Sequence, residues 1–313
     1  MCVFSRFLLP VLAALTLTFP ASAEIADTAR PRFEVALGHT TLSANEQVYW
    51  NGDRISRLNW EAKVPTATLG FSNRFADGWI LNGQATFRLG GNGHMTDHDW
   101  LPPFATGFGP DDWSHQSTHP DSPLRKYLDV DLSLGRDIVL NDSTRLNLHG
   151  GVKYTNVRWD ARGGTSVYSY QDLRDTAGLF RDGMRVVSYK QEHVTIFGGA
   201  ELTRVQGPWQ FSGRLRAGIS PSPQERDHHW LRDLRFDNDY GAMAYASIAG
   251  QVDYQIADRF TVFASAGYQK FFEDRGDAYY TTIEHGQDLG YAPGAAGADL
   301  SAMTVAFGVS GRF

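Results

Sequence analysis

The final segment of the chain, residues 301–313, alternates without a break between apolar and small or polar side chains. Successive side chains of a β-strand point to opposite faces, so this segment predicts a strand with one apolar face. No later residues follow in the sequence to cover that face, and we expect lipid to cover it. The apolar set is Met303, Val305, Phe307, Val309 and Phe313.

The same alternation recurs along most of the sequence, and the face opposite the apolar one often carries charge. Side chains such as Asp129, Lys153 and Arg216 need water, which predicts strands that separate lipid from a wet interior. We therefore predict an all-β fold, an antiparallel transmembrane β-barrel, with a soluble β-sandwich as the alternative. The alternating segments are residues 33–38, 128–135, 145–155, 209–219 and 260–269.

Short turn signals alternate with longer connections along the chain, as they do in outer-membrane barrels. Counting the segments between them predicts ten strands in one domain. Segments such as 143–162 exceed the ~9–11 residues that cross a bilayer, so the barrel should extend beyond the outer leaflet. Short turns are expected near 77–78, 141–143, 206–208 and 257–258, and longer loops around 50–54, 91–123, 163–187, 221–239 and 272–298.

The N-terminus has the pattern of a secretory signal peptide. Arg6 is followed by an apolar stretch and then by the small-x-small pattern Ala21-Ser22-Ala23, so we expect residues 1–23 to be removed. The barrel domain would then comprise residues 24–313. The chain's only cysteine, Cys2, would leave with the signal peptide, and the mature chain would contain no disulfide bond.

The charge of the mature chain limits its partners. Without Arg6, 28 of the 29 basic residues remain against 35 acidic residues, which gives a net charge of −7. This acidity argues against a nucleic-acid partner and fits basic ligands.

Two short clusters that contain carboxylates fall in predicted loops at the same end of the barrel. Each places two functional groups at positions i and i+2, Asp97 with Asp99 and Asp227 with His229, and this spacing puts both groups on one face of an extended chain. An aspartate beside a histidine can orient the imidazole of a general base. Two close carboxylates can share a proton or a water molecule.

The same clusters also fit two alternative roles in which the Asp-His pair is not a catalytic base. They can be solvated charges at the barrel's rim. They can also be metal ligands, because further histidines lie nearby and calcium would suit the aspartate pair; we predict no metal, because the ligands do not form a compact pair on one regular element. The nearby histidines are His94, His98, His228 and His229.

The alternation itself conflicts with a site at these clusters. Continued without interruption from Phe87, it turns Asp97 and Asp99 towards lipid, and continued from Ile219 it does the same to the second pair. Charges that face lipid are costly. We therefore predict that the phase of the alternation slips by one residue at 90–93 and again at 221–223, where Gly and Pro favour bulges.

Several motifs, in order along the mature chain, resemble those of the omptins, which are outer-membrane endopeptidases of Gram-negative bacteria. The motifs are Gly90-Gly91 to Met95, Asp97-x-Asp99-Trp100, His119-Pro120-Asp121, Ala161-Arg162-Gly163-Gly164, Tyr189-Lys190-Gln191 and Asp227-x-His229. The resemblance implies a ten-stranded barrel in the outer membrane with its active site in an extracellular groove.

The resemblance also implies how the site works. Asp227 and His229 would activate a water molecule that attacks the peptide bond directly, without an acyl-enzyme. Asp97 and Asp99 would oppose them, hold that water and help to stabilise the tetrahedral intermediate. A nucleophilic role for Ser117 with His119 is less favoured than a structural or substrate-contact role, because their surroundings are not those of a nucleophile elbow.

Substrate preference follows from the same resemblance. Omptins favour cleavage between basic residues, and their acidic S1 pocket matches Glu46 and Glu225, with Met95 lining it. Carboxylates at the base of a pocket attract arginine or lysine on physical grounds as well. The family pattern has a carboxylate where this chain has His228, which could change the preference beyond the basic residue.

Lipopolysaccharide is the activator that the resemblance implies, and no other cofactor is expected. Tyr154 and Arg158 match two positions of its binding cluster on the outer wall. Asn156 and Glu192 depart from the pattern, since an acidic and a basic residue are expected there. The expected protein is a monomer that cleaves cationic peptides or exposed protein segments. The alternative is an inactive barrel that acts as an adhesin for basic proteins, with a narrow channel ranked last.

Overall fold

The computed structural model describes residues 30–75, 78–105 and 107–313, so the predicted signal peptide lies outside the described residues. The described chain forms fourteen strands in one antiparallel sheet. They are β1 (Arg32–Trp50), β2 (Asp53–Phe75), β3 (Trp79–Arg88), β4 (Asn92–Asp99), β5 (His115–His119), β6 (Leu124–Asn141), β7 (Thr144–Tyr168), β8 (Thr176–Gln206), β9 (Trp209–Pro221), β10 (Gln224–His229), β11 (Leu234–Tyr240), β12 (Ala242–Ala257), β13 (Phe260–Thr282) and β14 (Asp288–Arg312).

The sheet closes on itself, because β1 pairs with β2 on one side and with β14 on the other. Four positions round the ring are each occupied by two consecutive strands: β3 with β4, β5 with β6, β9 with β10, and β11 with β12. We call each position round the ring a stave. The described strands make ten staves, which confirms the predicted ten-stranded barrel.

The outward face is apolar in the half of the barrel that contains the last strand's C-terminal part. Leu37 of β1 lies opposite Phe307 of β14, and both are more than 60% exposed, as the C-terminal alternation predicts. Without lipid this exposure would be unfavourable, since every exposed apolar side chain forgoes burial. The band is therefore the membrane-facing surface of an outer-membrane barrel.

Charged side chains pair across the interior at the same level. Arg216 on β9 reaches Asp131 on β6 at 3.1 Å, and Gln269 on β13 donates to Asp129 at 2.8 Å. Lys153 forms a buried contact with the same Asp129. Such paired, hydrogen-bonded charges project into the lumen, which supports ranking an open channel last.

The first predicted phase slip is confirmed. β2 pairs Thr66 with Arg88 of β3 but Lys63 with Asn92 of β4, so residues 89–91 lie opposite only two residues. One extra residue on one strand is a β-bulge, and it exchanges inward and outward side chains beyond it. Asp97 and Asp99 consequently face the interior.

The second slip is confirmed in the same way. β8 pairs Ile196 with Ile219 of β9 but Glu192 with Gln224 of β10, so four residues lie opposite three. Ser222 in this break has φ of 50°. The slip turns Asp227, which would otherwise share the phase of the exposed Ile219, to the inside of the barrel.

The predicted long loops are mostly strand. Their ranges contain β4, β5, β10 and β11 together with long ends of β7, β8, β13 and β14, and the expected loop at 50–54 is a two-residue Asn51-Gly52 turn. The polar alternation is weak in these segments because neither face meets lipid. We call this end, which carries the connections 100–114, 169–175 and 283–287, the upper rim. In the described chain, the helical segments are too short to cross a membrane.

Candidate active site

The two predicted pairs meet inside the upper half of the barrel. β4 lies in the third stave and β10 in the seventh, so the ring places them on facing walls. Between them is a cleft of about 450 Å³, and Asp97, Asp99 and His229 line it. Asp227 is fully buried behind His229. The structure therefore brings together all four residues that the sequence places in the catalytic machinery.

Asp227 and His229 are in contact. His229 Nε2 lies 2.5 Å from Asp227 Oδ2, although neither aspartate oxygen has a hydrogen bond of normal geometry among the described residues. Phe236 packs edge-on against the imidazole, with ring centroids 5.3 Å apart. The aspartate thus engages one ring nitrogen and leaves the other, Nδ1, for the cleft.

Asp97 and Asp99 form the opposite wall. Burial first, and then the charge of Asp99, holds the pKa of Asp97 well above its usual range. Burial also raises the pKa of Asp99, against the hydrogen bond that Ser56 provides. Two carboxylates so placed share a proton readily, and a shared proton lets the pair both donate and accept hydrogen bonds to one water molecule.

Glu225 has an unusual environment for a carboxylate. Its Oε2 accepts hydrogen bonds from the hydroxyls of Tyr189 at 2.7 Å and Tyr240 at 3.0 Å, and its Oε1 accepts one from Asn238 at 2.8 Å. All of these donors are neutral, and burial raises the pKa of Glu225 to about 8. Without a bound cation, this group gives up its charge easily.

Glu46 lies closer to Asp227 and His229 than the sequence indicates. Three side-chain atoms lie within 4.8 Å of one another, one from each of Glu46, Asp227 and His229. Burial, followed by the charge of Asp227, holds the pKa of Glu46 well above its usual range, and its Oε2 has no hydrogen-bond partner among the described residues. A water molecule or a positively charged side chain would satisfy this oxygen.

A buried aromatic cluster supports the acidic residues from below. Trp60 stacks on Tyr189 with ring centroids 5.4 Å apart, and Trp159 lies against both rings. Met95 is fully buried in the same cluster, opposite Trp60 on the neighbouring strand. This aromatic cluster holds the strands that carry the carboxylates in place, because well-packed large side chains have little freedom to move.

Ser117 and His119 form a second hydrogen-bonded pair beside the cleft. Ser117 Oγ lies 3.0 Å from His119 Nε2, and His119 Nδ1 contacts the carbonyl oxygen of Gly163. A Cβ at Gly164, where φ is +106°, would lie 2.1 Å from the carbonyl oxygen of Thr118. Two of the sequence motifs therefore meet at one close backbone contact, which agrees with a structural role for the histidine.

The structure adds a cleft residue that the sequence does not reveal. Arg232 ends a 3-10 turn, Trp230–Arg232, between β10 and β11, and its Nη2 contacts Nδ1 of His229. Its positive charge pulls the pKa values of Asp97 and Asp99 down, against burial. An arginine in a predicted loop carries no signal of such a position, apart from its spacing of three residues from His229.

His228, in contrast, takes no part in the cleft. Its ring stacks on Trp230, with ring centroids 5.1 Å apart. The guanidinium carbon of Arg185 lies 4.1 Å from the centroid of the Trp230 ring. Its neighbours Asp227 and His229 point inward, so the alternation places it on the outer wall.

The outer wall near Tyr154 and Arg158 carries more positive charge than those two residues indicate. Tyr154 donates to Glu192 at 2.6 Å, and Glu192 also pairs with Lys190. The register places Lys126, Arg158, Lys190 and Arg226 in one row across four neighbouring strands. We call these four residues the basic row.

Comparison with known proteins fits this geometry. The sequence profile described as the omptin family matches residues 30–313. The chain is 26% identical over 312 residues to the plasminogen activator of Yersinia pestis, covering 94% of each chain, and 24% identical over 250 residues to the outer membrane protease OmpP of Escherichia coli K12, covering 78% of each.

A solved structure shows the same fold. The outer membrane protease OmpT of Escherichia coli superposes with a TM-score of 0.84 at 20% identity, and the match covers 91% of this chain and 97% of that one. Since the family profile matches nearly the whole described chain, this protein belongs to the omptin family of outer-membrane proteases.

Proposed function

We propose that the protein is an endopeptidase that hydrolyses peptide bonds next to arginine or lysine, with its cleft on the extracellular side of the outer membrane. The observation that carries this proposal is the pair Asp227–His229 facing the pair Asp97–Asp99 across one cleft. A base on one side and a proton-sharing acid pair on the other can hold and deprotonate a water molecule between them.

The proposed reaction uses this water as the nucleophile. Asp227 engages Nε2 of His229, so Nδ1 is the atom that accepts the water's proton. A negative partner on the far nitrogen stabilises the imidazolium that forms. The Asp97–Asp99 pair, with one shared proton, orients the water and donates a hydrogen bond during attack. The hydroxyl of Ser117 lies beside this pair but forms no bond to the substrate.

Two acidic residues support the preference for basic side chains. Glu46 lines the cleft, and Glu225 lies close enough to Glu46 to influence its pKa. Glu46 and Glu225 are buried, and an incoming guanidinium or ammonium group would supply the positive charge that both lack. Charge-assisted, paired hydrogen bonds make such a contact selective. Cationic peptides and exposed protein segments are therefore the proposed substrates.

A peptide with one Arg-Arg bond is expected to be cleaved at that bond, whereas its Gln-Gln counterpart should survive. In water enriched in oxygen-18, mass spectrometry should find one labelled oxygen in the new carboxyl group during a single turnover. Hydroxylamine should capture no acyl-enzyme, because water attacks directly. A serine adduct at Ser117 would contradict the mechanism.

The same experiment separates the enzyme from its main rival. An adhesin of this fold would bind the Arg-Arg peptide tightly and leave it intact. Cleavage by the purified barrel, lost on substituting His229, would exclude that alternative. Conductance across a planar bilayer would be needed to support a channel, and the paired charges in the lumen oppose it.

We further propose that the basic row binds the phosphates of lipopolysaccharide and that this lipid activates the protease. Arg158 is half exposed, and its neighbours in the row compensate for the missing basic residue at position 192. Phosphate oxygens accept strong charge-assisted hydrogen bonds from such residues. The lipid would hold β7, β8 and β10 in register, and β10 carries Asp227 and His229.

A double substitution, Arg158→Ala with Lys190→Ala, is expected to raise the lipopolysaccharide concentration for half-maximal activity by about tenfold or more, since two charge-assisted contacts are lost. The assay follows peptide cleavage by the refolded protein across a lipopolysaccharide titration. Arg181→Ala, an exposed substitution on β8, serves as the control for a lost charge. An unchanged titration for the double variant would remove the basic row from activation.

A further inference from the structure

Arg232 occupies a position that its sequence context does not explain. Three acidic residues line the cleft, Glu46, Asp97 and Asp99, and in the described part of the chain Arg232 is the one lysine or arginine among the residues that line it. Water attack on a peptide carbonyl creates another negative charge in this acidic surrounding. We propose that Arg232 is a catalytic residue that stabilises the oxyanion of the tetrahedral intermediate, an inference that depends on the proposed hydrolysis.

The turn that carries Arg232 is held in place. Asp233, the next residue, has φ of 50°, and its Oδ1 accepts hydrogen bonds from the backbone of Ile283 at 3.0 Å and Glu284 at 2.9 Å. These bonds tie the β10–β11 turn to the end of β13. The base of the arginine is therefore fixed, while its exposed side chain can change direction within the cleft.

The guanidinium contacts one wall of the cleft and acts on the other through its charge. It contacts Nδ1 of His229 on one side. Its charge also lowers the pKa values of Asp97 and Asp99 on the other, opposing the effect of burial. Arg232 also lines the same cleft as Asp97, Asp99 and His229. It therefore lies close to where the scissile carbonyl must come, because the attacking water is held by the same two walls.

The contact with His229 has a definite chemical meaning. A guanidinium group only donates hydrogen bonds, so Nδ1 of His229 is an acceptor in this arrangement. While Arg232 holds Nδ1, that nitrogen cannot take a proton from water. The contact is therefore the resting position, and the guanidinium must move to the carbonyl oxygen when substrate and water enter.

Protons and electrons balance in both halves of the proposed reaction. The water oxygen forms a bond to the carbonyl carbon, one water proton passes to His229 Nδ1, and the carbonyl π electrons become the oxyanion paired with Arg232. The C=O bond then forms again, the C–N bond breaks, and the proton on Nδ1 passes to the leaving amine. Arg232 neither gains nor loses a proton in either half.

Substitution of Arg232 should change kcat rather than KM. We expect Arg232→Ala to lower kcat by about 100-fold or more, as loss of one oxyanion donor does, with KM within about threefold of the native value. Arg232→Lys should keep part of the rate, since it retains the charge without the fork of donors. Arg181→Ala, outside the cleft, should cleave at the native rate. Heat-modifiable mobility on gels checks that each barrel has folded.

A binding measurement tests the role without turnover. A peptide in which a phosphinate replaces the scissile amide carries the tetrahedral, anionic form permanently. Arg232→Ala should weaken phosphinate binding by about the factor lost from kcat, because both report stabilisation of the same charge. Its affinity for the uncleaved amide peptide, measured in an Asp227→Asn background, should stay the same.

Three outcomes would overturn the inference. A kcat that is unchanged or higher in Arg232→Ala would show that the arginine only blocks Nδ1. Equal phosphinate affinity in the native and variant proteins would show that it does not meet the oxyanion. A native protein that cleaves no basic peptide would refute the proposed function itself. Equal cleavage rates for the native protein and Arg232→Ala would refute only the role of Arg232.

Discussion

Asp227→Asn is expected to lower kcat/KM for an Arg-Arg peptide by about 10⁴-fold, the loss seen when the aspartate of a catalytic Asp-His pair is replaced by its amide. Asp227 is fully buried and lies 2.5 Å from His229 Nε2. An amide at this position cannot stabilise the imidazolium, and its NH₂ group can force the ring into the wrong tautomer. The measurement is initial-rate cleavage with lipopolysaccharide present.

Two further proteins make this result interpretable. Asp239→Asn makes the same chemical change on β11, at an exposed site on the outer wall of the same hairpin, and should retain the native rate. His229→Ala should be as inactive as Asp227→Asn, and the double variant should be no worse, because the two residues act as one unit. Native-like cleavage by folded Asp227→Asn would remove the pair from the mechanism.

Glu225→Gln is expected to reduce kcat/KM for an arginine peptide by about 100-fold, within the cost of losing one partner of a buried charged contact. The glutamine keeps the volume of the side chain, and its oxygen can still accept hydrogen bonds from Tyr189 and Tyr240. Selectivity is the informative quantity, so the same variant is assayed with a peptide that has Gln in place of Arg. The ratio of the two kcat/KM values should collapse.

The control for this substitution is Glu61→Gln. Glu61 is a partly exposed carboxylate that lies 3.3 Å from His94, outside the cleft. The Glu61→Gln substitution changes the charge of the protein by the same amount as Glu225→Gln, so a general effect of net charge would appear in both variants. Undiminished preference for arginine in Glu225→Gln would place the acidic pocket elsewhere.

The pH dependence of substrate binding should identify the same group. Burial raises the pKa of Glu225 to about 8, so in the free enzyme the carboxyl is neutral below that pH and charged above it. A cationic side chain binds the charged form, which makes KM fall as pH rises towards about 8. The fall should be absent in Glu225→Gln. A native KM that is flat between pH 6 and 8 would contradict this assignment.

The barrel could be predicted from local rules because lipid imposes them on every strand. In a strand such as β14, every second side chain must be apolar because it faces lipid. This period of two is visible in the sequence alone. The phase slips could be predicted as well, since the alternative placed Asp97 and Asp227 in lipid. Above the bilayer both faces of a strand can be polar, and the predicted loops there proved to be β4, β5, β10 and β11.

The finer features of the site depend on contacts between distant staves. Glu46 on β1 approaches Asp227 on β10, and no periodicity in either strand reports that they meet. The row formed by Lys126, Arg158, Lys190 and Arg226 depends on the register of four strands, which follows from turn lengths and bulges. The position of the Arg232 guanidinium in the cleft depends on the conformation of one side chain at the end of a short turn. Only the two predicted catalytic pairs, spaced i and i+2, have a geometry that the local sequence specifies.

The pairing of the first described strand with the last determines when the cleft can be assembled. β1 and β14 close the ring, from Arg32 opposite Arg312 to Val48 opposite Ala296, so closure awaits the arrival of the final residues. Asp99 and His229 belong to opposite walls and face each other only once the cylinder is complete. Before closure, the chain contains both walls of the cleft but not their arrangement across it.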